Sequence, residues 1–76
     1  MTEMATVDAR GLSCPQPAMM TRQTVLKLGA GVIEVLVDTS TARDNCARMA
    51  QSNGWSVEIE RRPEGEFRLV LRKWST

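Results

Sequence analysis

Residues 31–41 read Gly31-Val32-Ile33-Glu34-Val35-Leu36-Val37-Asp38-Thr39-Ser40-Thr41. The first part is an almost unbroken β-branched and aliphatic run, the pattern of an inner strand covered by helices. Asp38 to Thr41 then offer several side chains able to cap a helix N-terminus. Toward the C-terminus, Ala42, Cys46, Met49 and Ala50 fall at i, i+4, i+7 and i+8 before Asn53-Gly54, which predicts a second helix and its stop. Trp55 to Glu60 alternates apolar and polar residues, Arg62-Pro63-Glu64-Gly65-Glu66 is turn chemistry, and alternation resumes from Phe67 to Trp74 through Leu69 and Leu71. That end reads as an antiparallel hairpin, with Trp55 in the core and Trp74 packed at a sheet edge. Toward the N-terminus, Gly29 to Gly31 stop a helix running from Pro15 to Leu28, whose apolar positions are Ala18, Val25 and Leu28 with Met19 and Leu26 beside them. Met4 to Asp8 form a first strand ending at Arg10-Gly11. The order β-α-β-α-β-β predicts an α+β two-layer sandwich, a four-stranded mixed sheet with two helices on one face.

The 76 residues, 42% hydrophobic and 25% charged, describe one small domain spanning 1–76. A chain this short removes only about 60% of its unfolded surface from water, so it has no second lobe for a large cofactor. Rossmann and TIM-type enzymes are excluded by size. With no histidine anywhere, a Ser-His-Asp or Cys-His triad, a His-ligated metal and an imidazole base are impossible within the chain. A formal charge of +1 speaks against a strongly basic nucleic-acid module. Met1-Thr2-Glu3-Met4 has neither a basic n-region nor an apolar h-region, and no run approaches a membrane span, so a cytoplasmic protein without membrane contact is expected. Cys14 and Cys46 are too far apart for a C-x-x-C pair or half of a zinc site, and neither a metal nor a cofactor is expected.

Cys14-Pro15-Gln16-Pro17 is the one local sequence that folding alone explains poorly. Prolines in the first turn of a helix cost little, because the N–H groups they lack would have no intrahelical partner there. Cys14 therefore belongs at or beside the N-cap, where aligned peptide dipoles favour a thiolate over a thiol. Arg10 and Arg22 add to that field if the loop and helix turn them inward. The bland alternative is a small apolar residue tucked beneath the loop. Cysteine caps poorly, however, where serine, threonine, aspartate or asparagine caps well, and a nucleophile at such a position favours the functional reading. Cys46 shares a stripe with Ala42, Met49 and Ala50 and reads as a buried structural thiol.

The stretch Asp8-Ala9-Arg10-Gly11-Leu12-Ser13-Cys14-Pro15-Gln16-Pro17 resembles the D-x-R-G-L-x-C-P-x-P signature of the TusA/SirA/YedF-type sulfur-carrier family. Gly31, the strand to Asp38, Asp44-Asn45, Gly54 and the hairpin ending in Arg72-Lys73 follow the same pattern, so the resemblance covers roughly residues 4 to 74. It implies a β-α-β-α-β-β domain whose Cys14 accepts sulfane sulfur as a transient persulfide. Asp8, Arg10, Gly11, Leu12, Pro15 and Pro17 would shape the site. The implied partners are a cysteine desulfurase or other sulfur donor and a downstream acceptor protein. Such a protein is a carrier with sulfurtransferase-like chemistry rather than a stand-alone enzyme. Residues 41–50 lean toward the YedF-like branch, linked by resemblance to selenium or sulfur metabolism, beside the tRNA-thiolation carriers. A carrier needs a thiolate and room to dock two proteins in turn, not a base or a metal.

Two other classes stay open. Arg61, Arg62, Arg68, Arg72 and Lys73 make the hairpin basic, which would suit an RNA-contacting sheet, although Glu58, Glu60, Glu64 and Glu66 are interleaved with them as on a solvated mixed face. A regulatory protein-interaction module with a non-catalytic Cys14 is the other.

Overall fold

A computed structural model of the chain describes residues 4–74. The elements are β1 (Met4–Asp8), α1 (Gln16–Leu28), β2 (Gly31–Val37), α2 (Ser40–Ser52), β3 (Ser56–Arg61) and β4 (Phe67–Lys73), with a single 3-10 turn at Pro63–Gly65 inside the hairpin. The strands form one sheet in the order β1-β2-β4-β3. β1 runs parallel to β2, while β4 lies antiparallel between β2 and β3. Both helices pack on one face and against each other, as the element order predicts. Among the described residues no helix is long and apolar enough to cross a membrane.

The core lies between the sheet and the helices. Ile33, Val35 and Val37 of β2 and Leu69 and Leu71 of β4 are fully buried, and the register sets Ile33 beside Leu71 and Val35 beside Leu69. β2 is thus an inner strand, but helices cover only one of its faces. Val32, Glu34 and Leu36 alternate with the buried residues and stand on the open face, only partly buried. Arg68 reaches across that face to both Glu34 and Glu60, Thr6 donates to Glu34, and Arg72 pairs with Glu58 at 2.6 Å. The arginine stems and their carboxylate partners screen Val70, which is only 4% exposed there.

The helices differ in how well periodicity locates their inner faces. In α2, Ala42, Cys46 and Ala50 are buried as expected, and the Thr39 hydroxyl caps the helix by accepting from the Ala42 N–H at 3.1 Å. In α1 the buried stripe is Pro17, Thr21 and Val25, whereas Met19 and Leu26 are exposed. Hydrophobicity misses Thr21 because its hydroxyl is polar. That hydroxyl donates to the Pro17 carbonyl at 2.8 Å and so enters the core without an unmet donor.

The edges bring two further corrections. Trp55 is in the core, but Trp74, past the end of β4, is 73% exposed and does not pack on the sheet edge. In β3, Val57 reaches the core while Ile59 stays largely exposed. β3 is an edge strand, so Ile59 has the fully buried Leu69 on one side and solvent on the other.

Candidate functional site

The topology directs three features to one end of the sheet. β1 and β2 run parallel, so both finish at this end, and α1 and α2, which follow them, begin there. The loop from Ala9 to Pro15 crosses it and carries Cys14. β4 also starts there, at Phe67, whose ring lies beneath the Arg43 guanidinium at 4.7 Å.

The loop is pinned at successive residues. Ala9 extends the β1–β2 pairing by donating to the Leu36 carbonyl at 2.9 Å and is itself fully buried. Arg10 grips the Asp8 carboxylate with two side-chain bonds of 2.8 and 2.9 Å, and its Nη1 lies 3.5 Å from Glu66. The guanidinium, assisted by the Arg10 backbone N–H, holds the Asp8 carboxyl down to about 2. Gly11 donates its N–H to Asp38 at 2.8 Å from a φ of +77°. A Cβ there would meet nothing within 4 Å, so the demand for glycine is conformational and not steric crowding. Leu12 packs against the core. Gln16 donates to the Ser13 carbonyl at 3.0 Å, Met19 donates to the Pro15 carbonyl at 3.0 Å, and Pro17 is buried.

Cys14 emerges from this scaffold exposed, one residue before Pro15 at the N-cap of α1, and the peptide between them is cis. The Asn45 amide of α2 donates to Cys14 Sγ at 3.6 Å. Sequence reasoning did not include Asn45 in the site. Two signals point to it, the Asp44-Asn45 match to the family pattern and an asparagine inside a helix, where it is a poor helix former, but neither names the sulfur as its partner. The sequence reading brings in Arg10 and Arg22 as additions to the field at the thiol. Arg10 is committed to Asp8 and Glu66, and no hydrogen bond joins either arginine to the sulfur among the described residues. Asp8 and Arg10 instead brace the loop. Leu12, Gln16, Met19, Met20 and Gln23 line a shallow groove of about 290 Å³ along the start of α1.

Cys46 is fully buried where α1 meets α2, its Sγ 3.5 Å from the Thr21 hydroxyl oxygen. Burial pushes its thiol up, an effect that the Thr21 hydroxyl opposes and the neighbouring Cys14 reinforces. Among the described residues no group of three or more cysteine, aspartate or glutamate side chains is arranged to hold a metal ion.

The family model for Sulfurtransferase TusA matches residues 5–73, from the first strand through the last. The chain belongs to the TusA family. A sulfur carrier protein TusA from Pseudomonas syringae pv. syringae is 34% identical over 76 residues, covering 99% of this chain and 90% of its own. A Methanocaldococcus jannaschii protein provisionally named a sulfur carrier is 34% identical over 71 residues, covering 92% of this chain and 95% of its own. The crystal structure of a SirA-like protein from Desulfitobacterium hafniense superposes with a TM-score of 0.88 at 31% identity, covering 95% of this chain and all of that one. The TusA match spans the loop that presents Cys14 and both helices whose N-termini meet it.

Proposed function

We propose that this TusA-family protein is a sulfur carrier that holds sulfane sulfur as a persulfide on Cys14. The observation that carries this reading is the presentation of Cys14: an exposed thiol on a loop tied down on both sides, in a family whose relatives are named sulfur carriers. In loading, the Cys14 thiolate attacks the terminal sulfur of a donor's persulfide. A bond forms between that sulfur and Sγ, the donor's own S–S bond breaks, and the electron pair leaves on the donor thiolate. Release is the same exchange in reverse direction, with an acceptor thiolate attacking the terminal sulfur and Cys14 departing as thiolate. The sulfur moves at constant oxidation state, so neither step requires a metal, a cofactor or an external oxidant. A cysteine desulfurase is the proposed donor. The acceptor is proposed to be a protein of tRNA thiolation or of sulfur or selenium metabolism.

The RNA-binding alternative fits the sheet less well. Arg68 and Arg72 on the open face are each paired with glutamates, and the strand residues of that face include no aromatic ring on which a base would stack.

The test is intact-mass measurement after incubation with a cysteine desulfurase and free cysteine. Wild type is expected to gain the mass of one sulfur atom, removable by a reducing thiol, and Cys14→Ser to gain none while remaining folded. Serine is a similar size and oxygen cannot hold sulfane sulfur. Wild type that gains no sulfur from any donor while binding RNA with salt-dependent affinity would install the alternative.

A further inference from the structure

Asn45 stands in α2 between Asp44, whose carboxylate is held by Arg43 at 2.9 Å, and Cys46, which faces the core. Successive helix residues are turned by about 100°, so the residue before an inward-facing one points to the flank of the helix. From that flank the partly buried Asn45 reaches a sulfur 31 positions earlier in the chain, Nδ2 to Sγ 3.6 Å. Asparagine is unfavourable inside helices because its amide competes for backbone groups. Here the amide is committed instead to Cys14.

We infer that Asn45 is a second residue of the sulfur site, an N–H donor that stabilises negative charge on Cys14 Sγ. The inference rests on the reading of Cys14 as the sulfur-bearing residue and deepens it. A thiolate can only accept hydrogen bonds, and a neutral amide supplies one without placing a fixed counter-charge beside the nucleophile. The same amide can turn its oxygen to a protonated thiol, which a lysine or arginine in that place could not do. The donor acts at both ends of the exchange. In loading it raises the fraction of attacking thiolate. In release the Sγ–sulfur bond breaks, the electron pair returns to Sγ, and a leaving thiolate that is stabilised departs faster.

The experiment uses the full chain with Cys46→Ala, so that only Cys14 reacts, and compares native-state iodoacetamide alkylation at one neutral pH. Asn45→Ala is expected to fold at least as well, because alanine is the best helix former. It should alkylate about threefold more slowly. Asn45→Asp, nearly isosteric but anionic, should be slower by about tenfold, and raising the salt should restore part of that loss. In persulfide-loaded protein, transfer to a small thiol should slow about fivefold in Asn45→Ala. Alkylation of Asn45→Ala at the wild-type rate overturns the inference, even if Asn45→Asp is slow, because charge alone would then account for the effect. Wild type that never loads sulfur overturns the carrier reading, while the alkylation comparison still decides the role of Asn45.

Discussion

The chain's cysteines differ in what surrounds them rather than in their chemistry. Cys14 is exposed on a loop, while Cys46 has no solvent-accessible surface and a hydroxyl neighbour in Thr21. Thiol reactivity follows thiolate character and access, and burial denies Cys46 both. Native alkylation should therefore modify Cys14 alone, with Cys46 labelled only after denaturation, which intact mass before and after denaturant will show. Cys46→Ala should cost about 1 kcal/mol for the lost packing. The cost stays small because the Thr21 hydroxyl keeps its bond to the Pro17 carbonyl and is not orphaned. Denaturant unfolding measures that cost, and sulfur loading by the same variant should be unchanged. Native labelling of Cys46 before Cys14 would contradict the assignment of carrier and core thiol.

Among the elements, α2 holds the site together from the side that local sequence did not mark. It supplies Asn45 to Cys14, Cys46 to the helix interface and Arg43 to Phe67. Its first turn contains no acidic residue, so the Thr39 hydroxyl is the side chain that satisfies an N-terminal N–H. Thr39→Ala should destabilise the protein by about 1 kcal/mol, and Thr39→Ser should restore most of that, measured by urea unfolding. An unchanged midpoint in Thr39→Ala would mean that water or Ser40 replaces the cap at no cost. α1 teaches a different lesson. Its inner stripe, Pro17-Thr21-Val25, contains one residue that a hydrophobicity scale accepts without question, so period alone selected the neighbouring Ala18 and Leu28 instead.

For the whole molecule, the ionisable groups define a pH window. Asp8 is held down to about 2 by Arg10, Glu34 is lowered mainly by its bond from Arg68, and Asp44 is lowered mainly by Arg43. A depressed folded-state value contributes stability above the unfolded value, about 4 for carboxylates, and that contribution is lost as pH falls through the folded one. Cys46 shifts the opposite way, so its contribution is complete below the unfolded thiol value, about 8.5, and fades as pH rises beyond it. With no histidine to titrate between these limits, stability should be flat from about pH 5 to pH 8, falling on both sides. Thermal melts across pH check this. Asp8→Asn should narrow the acid-side fall, modestly and less so in salt because the pair is exposed. Cys46→Ala should flatten the alkaline side. A slope near pH 6.5 would contradict the assignment.

Local signals determined the order of the elements and the presentation of Cys14. Residues 31–37 are a strand by composition, Thr39 is a cap by chemistry, and prolines flanking Gln16 are tolerated only where a helix begins. Each depends on interactions within a few residues, which is why it is legible in one chain. Tertiary structure decided which face of β2 is covered, because Val32 and Leu36 are as apolar as Ile33 and Val35, and only the placement of both helices on one side separates them. It likewise decided that Arg10 serves Asp8 and Glu66 while Asn45 serves Cys14, contacts that reach 56 and 31 positions along the chain. The strand order β1-β2-β4-β3 and the packing of α1 against α2 bring these groups together. No periodicity along the chain encodes which polar group will meet which across such a gap.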